Sequence, residues 1–555
     1  MTDERILDTD VLIVGGGLAA LRAALAAEAC GRRVMMVTKG TAGRGGSSAI
    51  TSAGYSAALG QADPSDSPER HCEDTLRGGA EINDTRLVRV FAEEAVERFW
   101  DMVDWEVEFE RDPASGKFLQ HSSGDHSSPR VAVCAEHRGV GMTLPLKART
   151  SAVAYVDRVM ALDLVHDDYG VAGVVGLDLT RRELLTIRAR STVLATGGIG
   201  QLYPVTSNPS DVTGDGLALA YRAGAILVDM EFVQFYPWRL VSHVHSRMPI
   251  QPSSFVAGAQ LRNAAGERFM EAYDSVRKEA TTRDVAARAI YTELVEGRDV
   301  EGGVMLDLSA ISLREFERLN PRVARYFADH HFDLETSQLL LAPEAHYFMG
   351  GLRIDTAGRT SLPGLFAAGE VSGGVDGGNR LDSNAIPAGQ VFGRRAGQAA
   401  ARAASERPDS RGHLDERVAA WRERLRSLRE APQRAPLDPQ QTKRLIRQLM
   451  LDSAGILRDG ARLHHGATEL AALAGQLSEE ARPDAERALV DFLEAENMAQ
   501  VATLICRAGA YRTESRGAHY REDYPERDDA AWRVNVLVQR EAATRALHLT
   551  TQPVA

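Results

Sequence analysis

The stretch Val11-Leu-Ile-Val-Gly-Gly-Gly-Leu-Ala-Ala20 decides the fold of this chain. Its apolar run, residues 11–14, is typical of a buried parallel strand, and an alanine-rich helical stretch follows. Gly15, Gly17 and Ala20 stand in G-x-G-x-x-A spacing, which lets a backbone turn tightly and bring a helix N-terminus close to a pyrophosphate. Similar turns also occur without a ligand, so this match alone is weak support for a dinucleotide site.

Two further segments strengthen the prediction of a dinucleotide site. A second apolar run, residues 34–37, is followed by Thr38 and Lys39 instead of the acidic residue that holds the ribose in many NAD sites, which argues against a simple nicotinamide dehydrogenase. The distant stretch Thr192-Val-Leu-Ala-Thr-Gly-Gly-Ile-Gly200 is also glycine-rich and includes Gly197. We interpret the two stretches as two walls of one site, which points to a flavoprotein.

Composition limits the function classes. The chain has 555 residues and a net charge of −12, so it is long enough for two or three domains and lacks the basic footprint of a nucleic-acid-binding protein. The first residues do not resemble a signal peptide, and no apolar stretch is long enough to span a bilayer. We therefore expect a cytoplasmic chain with no integral membrane segment, although attachment through a partner stays open.

The four cysteines are scattered singly along the chain and form no C-x-x-C pair. They are Cys30, Cys72, Cys134 and Cys506. This spacing favours reduced structural thiols and predicts no metal site. Any iron-sulfur relay would have to come from another polypeptide.

Strand and helix signals alternate in two parts of the chain, and a mixed segment lies between them. We predict a nucleotide-binding domain at residues 1–236 that continues at 347–410, with a capping domain at 237–346 inserted into it. Amphipathic helical patterns then predict a C-terminal helical domain at residues 411–555.

With the segments placed, the chain resembles the family of succinate dehydrogenase and fumarate reductase flavoprotein subunits and L-aspartate oxidase. The matching stretches are residues 15–19 (GGGLA), 195–198 (ATGG), 213–216 (TGDG), 229–235 (DMEFVQF), 266–270 (GERFM), 283–288 (RDVAAR), 346–351 (HYFMGG), 368–370 (AGE) and 378–380 (GNR). They follow the family's order across nearly the whole chain. The resemblance implies an α/β fold, in which a Rossmann-like FAD-binding domain is interrupted by an α+β capping domain and followed by a C-terminal helical domain.

The resemblance also implies FAD, held between the two glycine-rich walls. The candidate cofactor residues are Gly15, Gly17, Ala20, Lys39, Ser47, Gly197, Asp215, Glu370, Ser383 and Asn384. Glu370 can accept hydrogen bonds from ribose hydroxyls. In the respiratory subunits a histidine of the flavin-side loop carries the flavin covalently, and Ser47 matches that position. We therefore expect the FAD to be non-covalent.

The implied chemistry is hydride transfer between a substrate carbon and the flavin, coupled to proton transfer. Arg283 matches the family's proton-transferring arginine, while His346 and Arg380 match groups that bind a substrate carboxylate. Arginine presents a planar fork of donors to a carboxylate. Taken singly, each of these residues would more commonly be an ordinary ion pair or a buried structural histidine.

Several positions depart from the family pattern on one side of the predicted substrate pocket. The family's His-Pro-Thr is replaced by a segment with Tyr236 and Trp238, and its Thr-Glu and Arg-Gly-Glu segments are replaced around Gln251 and Phe255. The last replacement puts Ala257 where the family has the glutamate that passes protons to the catalytic arginine. We therefore expect a substrate other than the family's usual dicarboxylates.

Two further departures involve carboxylates. In the family's Gly-Gly-His-Ser segment the second glycine is Asp125, although His126 matches. Asp376 replaces the histidine of the family's His-Gly-Ala-Asn-Arg segment. These three residues are included among the candidates for the altered pocket.

Three hypotheses follow for the function. The first is an FAD oxidoreductase that acts on a carboxylate-bearing molecule other than the usual dicarboxylates. The second is the flavoprotein subunit of a complex with a separate iron-sulfur partner, favoured by the tail at residues 514–525, which looks closer to the respiratory subunits than to L-aspartate oxidase. The third is a flavin-binding relative without catalytic activity, consistent with the lost glutamate.

Overall fold

The computed structural model of the chain describes residues 5–52, 54–135, 138–243, 248–408, 416–430, 438–479, 486–541 and 543–555. Strands and helices alternate along most of these ranges. The strands are β1 (Arg5–Val14), β2 (Val34–Thr38), β3 (Tyr55–Ser56), β4 (Val131–Ala132), β5 (Ala154–Asp157), β6 (Val159–Asp167), β7 (Gly170–Asp178), β8 (Glu183–Leu194), β9 (Leu227–Val228), β10 (Val233–Leu240), β11 (Met248–Pro249), β12 (Gln260–Arg262), β13 (Val304–Asp307), β14 (Leu340–Phe348), β15 (Gly351–Arg353), β16 (Leu365–Ala367), β17 (Ser372–Gly373), β18 (Leu457–Arg458), β19 (Tyr520–Arg521), β20 (Val534–Arg540) and β21 (Leu547–Pro553).

The helices cover the sheets and form most of the C-terminal part. They are α1 (Leu18–Ala29), α2 (Gly46–Ile50), α3 (Pro68–Gly78), α4 (Thr85–Asp104), α5 (Arg138–Arg149), α6 (Asp215–Arg222), α7 (Ser253–Val256), α8 (Met270–Tyr273), α9 (Arg283–Val295), α10 (Leu313–Leu319), α11 (Pro321–Asp329), α12 (Ala385–Glu406), α13 (Glu416–Glu430), α14 (Pro439–Ala454), α15 (Gly460–Glu479), α16 (Glu486–Tyr511) and α17 (Asp529–Trp532). Within the described ranges, no helix is long and apolar enough to cross a membrane.

The largest sheet brings the two glycine-rich stretches together. Its strand order is β5-β2-β1-β8-β7-β6, with β16 paired to β8. Strands β5, β2, β1, β8 and β16 run parallel, so their carboxyl ends lie at one edge. The backbone N–H of Ala195 donates to the carbonyl oxygen of Val14 at 2.8 Å, which places the turn after β1 beside the turn after β8. This is the arrangement that the two stretches predict.

Close packing of two helices completes this edge. Helix α12 lies against α1, and a Cβ atom on Gly397 would lie only 2.2 Å from the carbonyl oxygen of Ala23. On Gly393 it would lie 2.7 Å from the carbonyl oxygen of Ala19. Small residues therefore allow α12 to pack closely against α1.

A second sheet, β11-β10-β14-β13-β12, has its own hydrophobic core with α7, α9, α10 and α11. That core extends from Tyr236 to Leu341 and contains Trp238 and Phe255, all of them buried. Strands β10 and β14 cross the expected domain boundaries at residues 236/237 and 346/347, and Val233 and Phe348 at their ends pack in the main hydrophobic core. The exact division into domains stays a prediction.

The C-terminal part is helical, as predicted, through α16. It then adds a β-hairpin, β20 and β21, which the sequence analysis did not predict. β20 pairs with β9 in the sheet β17-β15-β9-β20-β21, so the last residues join strands from the middle of the chain. The expected boundary between residues 410 and 411 lies outside the described residues.

Candidate active site

A cavity of about 680 Å³ opens at the carboxyl edge of the parallel strands, between the main sheet, the start of α12 and the second sheet. Its size is that of a cofactor or ligand site. Of the predicted cofactor residues, it is lined by Gly15, Gly17, Lys39, Ser47, Gly197, Asp215, Glu370 and Ser383. Of the predicted substrate residues, it is lined by Tyr236, Gln251, Arg283, His346 and Arg380.

The cofactor wall of the cavity is formed by the glycine turns after β1 and β8. Gly15 has a φ of +131°, and a Cβ atom there would lie 2.1 Å from the carbonyl oxygen of Ala195. A Cβ atom on Gly17 would lie 2.9 Å from Ser48 Oγ, which accepts a hydrogen bond from the Leu18 N–H at 3.2 Å. Because α1 begins here, the wall offers backbone donors and the positive end of a helix to an anionic group.

Glu370 stands at the far side of this wall, after β16. The Phe348 N–H donates to its Oε1 at 3.1 Å, and burial raises the pKa of Glu370 to about 7. A Cβ atom on Gly198 would lie 2.2 Å from the same carboxylate oxygen. The absence of a side chain at Gly198 thus leaves room for the Glu370 carboxylate, which can accept hydrogen bonds from hydroxyl groups.

Lys39 and Asp215 contact each other on the cavity lining. Lys39 Nζ lies 2.7 Å from Asp215 Oδ2 and 2.6 Å from Glu494 Oε1 of α16. Burial acts to lower the pKa of Lys39, but the two carboxylates outweigh it and the pKa is raised. No local sequence signal marked Glu494, because it lies 455 residues from Lys39.

Two predicted cofactor residues, Ala20 and Asn384, do not line the cavity. Ala20 is buried within α1. Asn384, just before α12, accepts a hydrogen bond from Ser56 Oγ at 2.6 Å and contacts His71 Nε2 at 3.0 Å. Both residues lie directly behind the cofactor wall.

A second set of lining residues, which we call the substrate wall, faces the cofactor wall from the second sheet and the loop before α12. It consists of Tyr236, Gln251, Arg283, His346, Arg380 and Asp382. Arg283 begins α9, and Arg380 follows Asn379. Both guanidinium groups donate to Gln234 Oε1, at 3.3 Å from Arg283 and 3.1 Å from Arg380. Gln234 belongs to the matching stretch 229–235, but the sequence analysis did not predict it as a site residue.

Arg380 is a buried cation, only 2% exposed. Its Nη1 donates to the carbonyl oxygen of Leu381 at 3.2 Å, and the guanidinium lies over the Tyr347 ring at 4.5 Å. Within the part of the chain that the structure describes, no carboxylate oxygen lies within 4.0 Å of its nitrogens. Burial and the nearby charge of Arg283 lower the pKa of Arg380, so an anionic ligand would stabilise its charged form.

His346 is neutral in this environment. Burial, with the charges of Arg380 and Arg283, holds the pKa of His346 well below its ordinary value. Its Nδ1 is hydrogen-bonded to Ser207 Oγ at 2.8 Å, which orients the ring. The imidazole can therefore form a hydrogen bond with a ligand without adding charge.

Arg283 pairs with a residue that the sequence analysis did not single out, Asp382. Arg283 Nη2 and Asp382 Oδ1 form an ion pair in which both side chains are largely buried. Burial acts to lower the pKa of Arg283, but the Asp382 carboxylate outweighs it and the pKa is raised. Asp382 lies between Arg380 and Ser383, two predicted site residues, so its position in the chain was the available signal.

Asp125, His126 and Asp376 lie behind the substrate wall and do not line the cavity. Asp125 Oδ2 accepts a hydrogen bond from the Asp382 N–H at 2.8 Å, and His126 Nε2 donates to the Asp382 carbonyl oxygen at 2.8 Å. Asp376 is buried near Tyr347, and burial raises the pKa of Asp376 to about 6.

The altered side of the pocket divides into lining and supporting residues. The Tyr236 ring lies 5.2 Å from the His346 ring, and its hydroxyl donates to the carbonyl oxygen of Ile250 at 2.6 Å. Trp238 and Phe255 stack on each other at 4.6 Å inside the second core. Two other residues that line the cavity, Glu344 and the exposed Arg322, were not predicted.

The fold and this cavity define a class: a dinucleotide-binding protein in which a second sheet faces the glycine turns of the main sheet. The family model described as FAD binding domain matches residues 10–386, and the one described as fumarate reductase flavoprotein C-term matches residues 443–555. The chain is 39% identical to a subunit of the fumarate reductase (CoM/CoB) of Methanothermobacter marburgensis, over 97% of this chain and 98% of that one. It is 35% identical to L-aspartate oxidase of Streptomyces coelicolor, over 98% and 94%.

A solved structure agrees with these relatives. FrdA of the E. coli quinol fumarate reductase superposes with a TM-score of 0.90 at 28% identity, covering 99% of this chain and 97% of that one. The chain therefore belongs to the family of succinate dehydrogenase and fumarate reductase flavoproteins and L-aspartate oxidase. It is an FAD-dependent oxidoreductase, as the sequence analysis predicts.

The cavity residues fit this cofactor. The cradle at Gly15 and Gly17 leaves space that a side chain would fill, next to the start of α1. The buried carboxylate of Glu370 accepts a hydrogen bond from the Phe348 N–H at one oxygen, and a carboxylate has further lone pairs with the capacity to accept ribose hydroxyls.

Proposed function

We propose that the enzyme transfers a hydride between its FAD and a substrate that carries one carboxylate, and that Arg380 binds this carboxylate. The observation that carries the proposal is the buried guanidinium of Arg380, which forms no ion pair within 4.0 Å among the described residues, while the charges of Asp376 and Asp382 act on it from a greater distance. An unpaired buried cation is costly unless a ligand supplies the opposite charge. The cavity on which Arg380 borders provides the space for such a ligand.

The other residues of the substrate wall have distinct proposed roles. Arg283 exchanges a proton with the substrate, giving it to the reacting carbon when the substrate is reduced and taking it up when the substrate is oxidised, and neutral His346 orients the carboxylate. When bound, the flavin supplies the hydride-accepting or hydride-donating chemistry. Tyr236 and Gln251 present a largely neutral surface to the rest of the substrate, which suits a neutral or aromatic group.

We propose that the cofactor wall holds FAD without a covalent bond. Backbone groups at Gly15, Gly17 and Gly197 suit the pyrophosphate, and Glu370 suits a ribose. Ser47 donates to Asn208 Oδ1 at 2.9 Å, and a serine cannot form the histidyl linkage. Acid or heat denaturation should therefore release all flavin into the supernatant, and flavin that stays with the precipitated protein would contradict a non-covalent cofactor.

For the remaining candidates we propose supporting roles. Ala20 and Asn384 support the cofactor wall from behind. Lys39, Asp215 and Ser383 support it from positions on the cavity lining. Asp125, His126 and Asp376 support the substrate wall, and Trp238 and Phe255 support Tyr236 from the second core. A cytoplasmic location is part of the proposal and is tested by cell fractionation.

The proposal is tested by anaerobic flavin reduction. We compare 3-phenylpropanoate and L-phenylalanine with succinate and L-aspartate at matched concentration, following the loss of flavin absorbance. The one-carboxylate compounds with aromatic remainders should reduce the flavin faster. Rapid reduction of the flavin by succinate or L-aspartate at low concentration would contradict the proposal and show that the enzyme uses the ordinary dicarboxylate substrates of its family.

A variant pair tests the role of Arg380. Arg380→Ala should lose most substrate-dependent reduction while FAD content stays near wild type. The matched control is Arg359→Ala, an exposed arginine that pairs with Asp355 at 3.5 Å away from the cavity. Equal activity of Arg380→Ala and the control would refute the proposed carboxylate site.

A second candidate function is that of a flavoprotein subunit in a larger complex with an iron-sulfur partner. The match of residues 443–555 to the fumarate reductase flavoprotein C-term favours it, as does the relative that is named as one subunit of a fumarate reductase. Purification of a tagged chain from its own host tests the idea. Recovery of a stoichiometric iron-sulfur protein supports the subunit role, and full activity of the isolated chain with a soluble acceptor argues against it.

A further inference from the structure

Asp382 places a carboxylate in the substrate wall, directly on Arg283. Its side chain is 14% exposed and lines the cavity. Burial acts to raise the pKa of Asp382, but the charges of Arg283 and Arg380 outweigh it and the pKa is lowered. The carboxylate is therefore ionised at neutral pH and neutralises Arg283.

The backbone around Asp382 is held on both sides. Asp125 accepts from its N–H and His126 donates to its carbonyl oxygen, each at 2.8 Å. Ser383 Oγ donates to Asp382 Oδ1 at 3.3 Å, and Ser383 has a φ of +61°. This support fixes the carboxylate against Arg283, so the pair is part of the cavity's built structure.

The charges that line the substrate wall leave one buried cation for a ligand. Arg283 is paired with Asp382, and His346 is neutral, so Arg380 is the remaining buried positive group among the described residues of this wall. Glu344 also lines the cavity, where Arg239 forms an ion pair with it at 3.7 Å. Arg322 also lines the cavity, but it is exposed, and water and salt screen its charge.

We propose that Asp382 determines the charge specificity of this pocket: it allows a substrate with one carboxylate and disfavours one with two. A second carboxylate in the cavity would lose its water and face Asp382, while the cation that could bind it is already neutralised. This inference rests on the proposed function, because it takes Arg380 as the site of the first carboxylate.

The experiment measures binding and requires no turnover. The probes are propionate and malonate, which share a three-carbon skeleton and differ by one carboxylate, and malonate cannot be dehydrogenated between adjacent carbons. Each is titrated into the oxidised, FAD-loaded enzyme, and the perturbation of the flavin absorbance gives its Kd. The wild-type enzyme should bind propionate at least as tightly as malonate.

Removal of the Asp382 charge should reverse this preference. In Asp382→Asn, malonate should bind about tenfold tighter relative to propionate, equivalent to about 1.4 kcal/mol. Asp382→Glu keeps the charge and should keep the wild-type ratio. Asp376→Asn removes a buried carboxylate that does not line the cavity, so it should shift both probes together and leave their ratio unchanged.

The outcomes separate the inference from the proposed function. If malonate gains nothing in Asp382→Asn, or both probes gain equally, Asp382 does not determine the charge specificity. The wild-type enzyme gives a test of its own, in case Asp382→Asn does not retain FAD. Tenfold tighter binding of malonate than of propionate by the wild type would contradict the inference. If neither probe perturbs the flavin, or Arg380→Ala leaves propionate binding unchanged, the proposed carboxylate site itself is wrong.

Discussion

The two walls of the cavity are built by different means. The cofactor wall includes the glycine turns at Gly15, Gly17 and Gly197, and the absence of a side chain at Gly15 lets the ends of β1 and β8 lie together. The substrate wall consists of long side chains, and its character depends on which charges pair, as in Arg283 with Asp382. The comparison teaches that one wall depends on the absence of side chains, whereas the other depends on charge balance between distant segments.

The largest effect is expected from a substitution in the cofactor wall. Gly15→Ala should abolish FAD binding, because its Cβ atom would lie 2.1 Å from the Ala195 carbonyl oxygen at a φ of +131°. The measurement is the flavin content of the purified protein. Gly31→Ala is the matched control, since Gly31 also has a positive φ, +73°, but open space around its Cβ atom. It should lose only about 1–2 kcal/mol of stability and keep its FAD. A yellow Gly15→Ala protein would show that the strand ends tolerate a side chain.

The next effect is on the substrate wall. Arg283→Lys should lower substrate-dependent flavin reduction by roughly 10- to 150-fold, since lysine cannot reproduce the planar fork and a charged hydrogen bond contributes about 1.5–3 kcal/mol. FAD content should stay near wild type. Arg288→Lys, on the same helix with its guanidinium over Tyr520, is the control. Unchanged turnover in Arg283→Lys would show that Arg283 has no role in the reaction.

A smaller effect links the cofactor wall to pH. Burial raises the pKa of Glu370 to about 7, and ribose hydroxyls would favour its ionised form, so binding of FAD lowers this pKa and releases a proton. The affinity for FAD should therefore rise with pH below about 7, by at most about tenfold per pH unit, and level off above it.

Fluorescence titration of the apoprotein with FAD at several pH values measures this dependence. Glu370→Gln should flatten it, whereas Glu406→Gln, at an exposed position at the end of α12, should not. The same slope in wild type and Glu370→Gln would mean that another group carries the released proton.

The smallest effect on substrate choice is expected behind the substrate wall. Trp238→Thr should leave the ratio of reduction rates by 3-phenylpropanoate and succinate unchanged, because Trp238 does not line the cavity. Its free energy of unfolding should fall by about 3–5 kcal/mol, because the residue is buried against Phe255. Tyr236→Ala, which opens the lining itself, is the comparison variant. A changed substrate ratio in Trp238→Thr would place Trp238 at the substrate.

The placement of the glycine turns at one edge of the main sheet could be predicted from the sequence, because each turn has local signals. Residues 11–20 combine a buried strand, a glycine turn and a helix in ten positions, and the family's motifs supply the partner strand β8. The substrate wall was harder to predict. Asp382 meets Arg283 across 99 residues, and nothing local to either residue indicates the pair.

The sequence also could not show that Tyr236 lines the cavity while Trp238 does not. In a regular strand, residues two apart face the same side, so both would be expected to line the pocket. The pairing of β10 with β14 shifts its register between Tyr236 and Arg239, and this irregularity accompanies the different positions of the two side chains. Strand alternation alone cannot predict such a bulge.

The contact between Lys39 and Glu494 has a consequence for biosynthesis. Lys39, which lines the cavity, follows β2, while its partner Glu494 belongs to α16, so the contact forms only after residue 494 has been synthesised. The hairpin β20–β21 arrives later still and completes the sheet that contains β9. The N-terminal half of the sequence alone therefore lacks both the carboxylate of Glu494 beside Lys39 and the strand that pairs with β9.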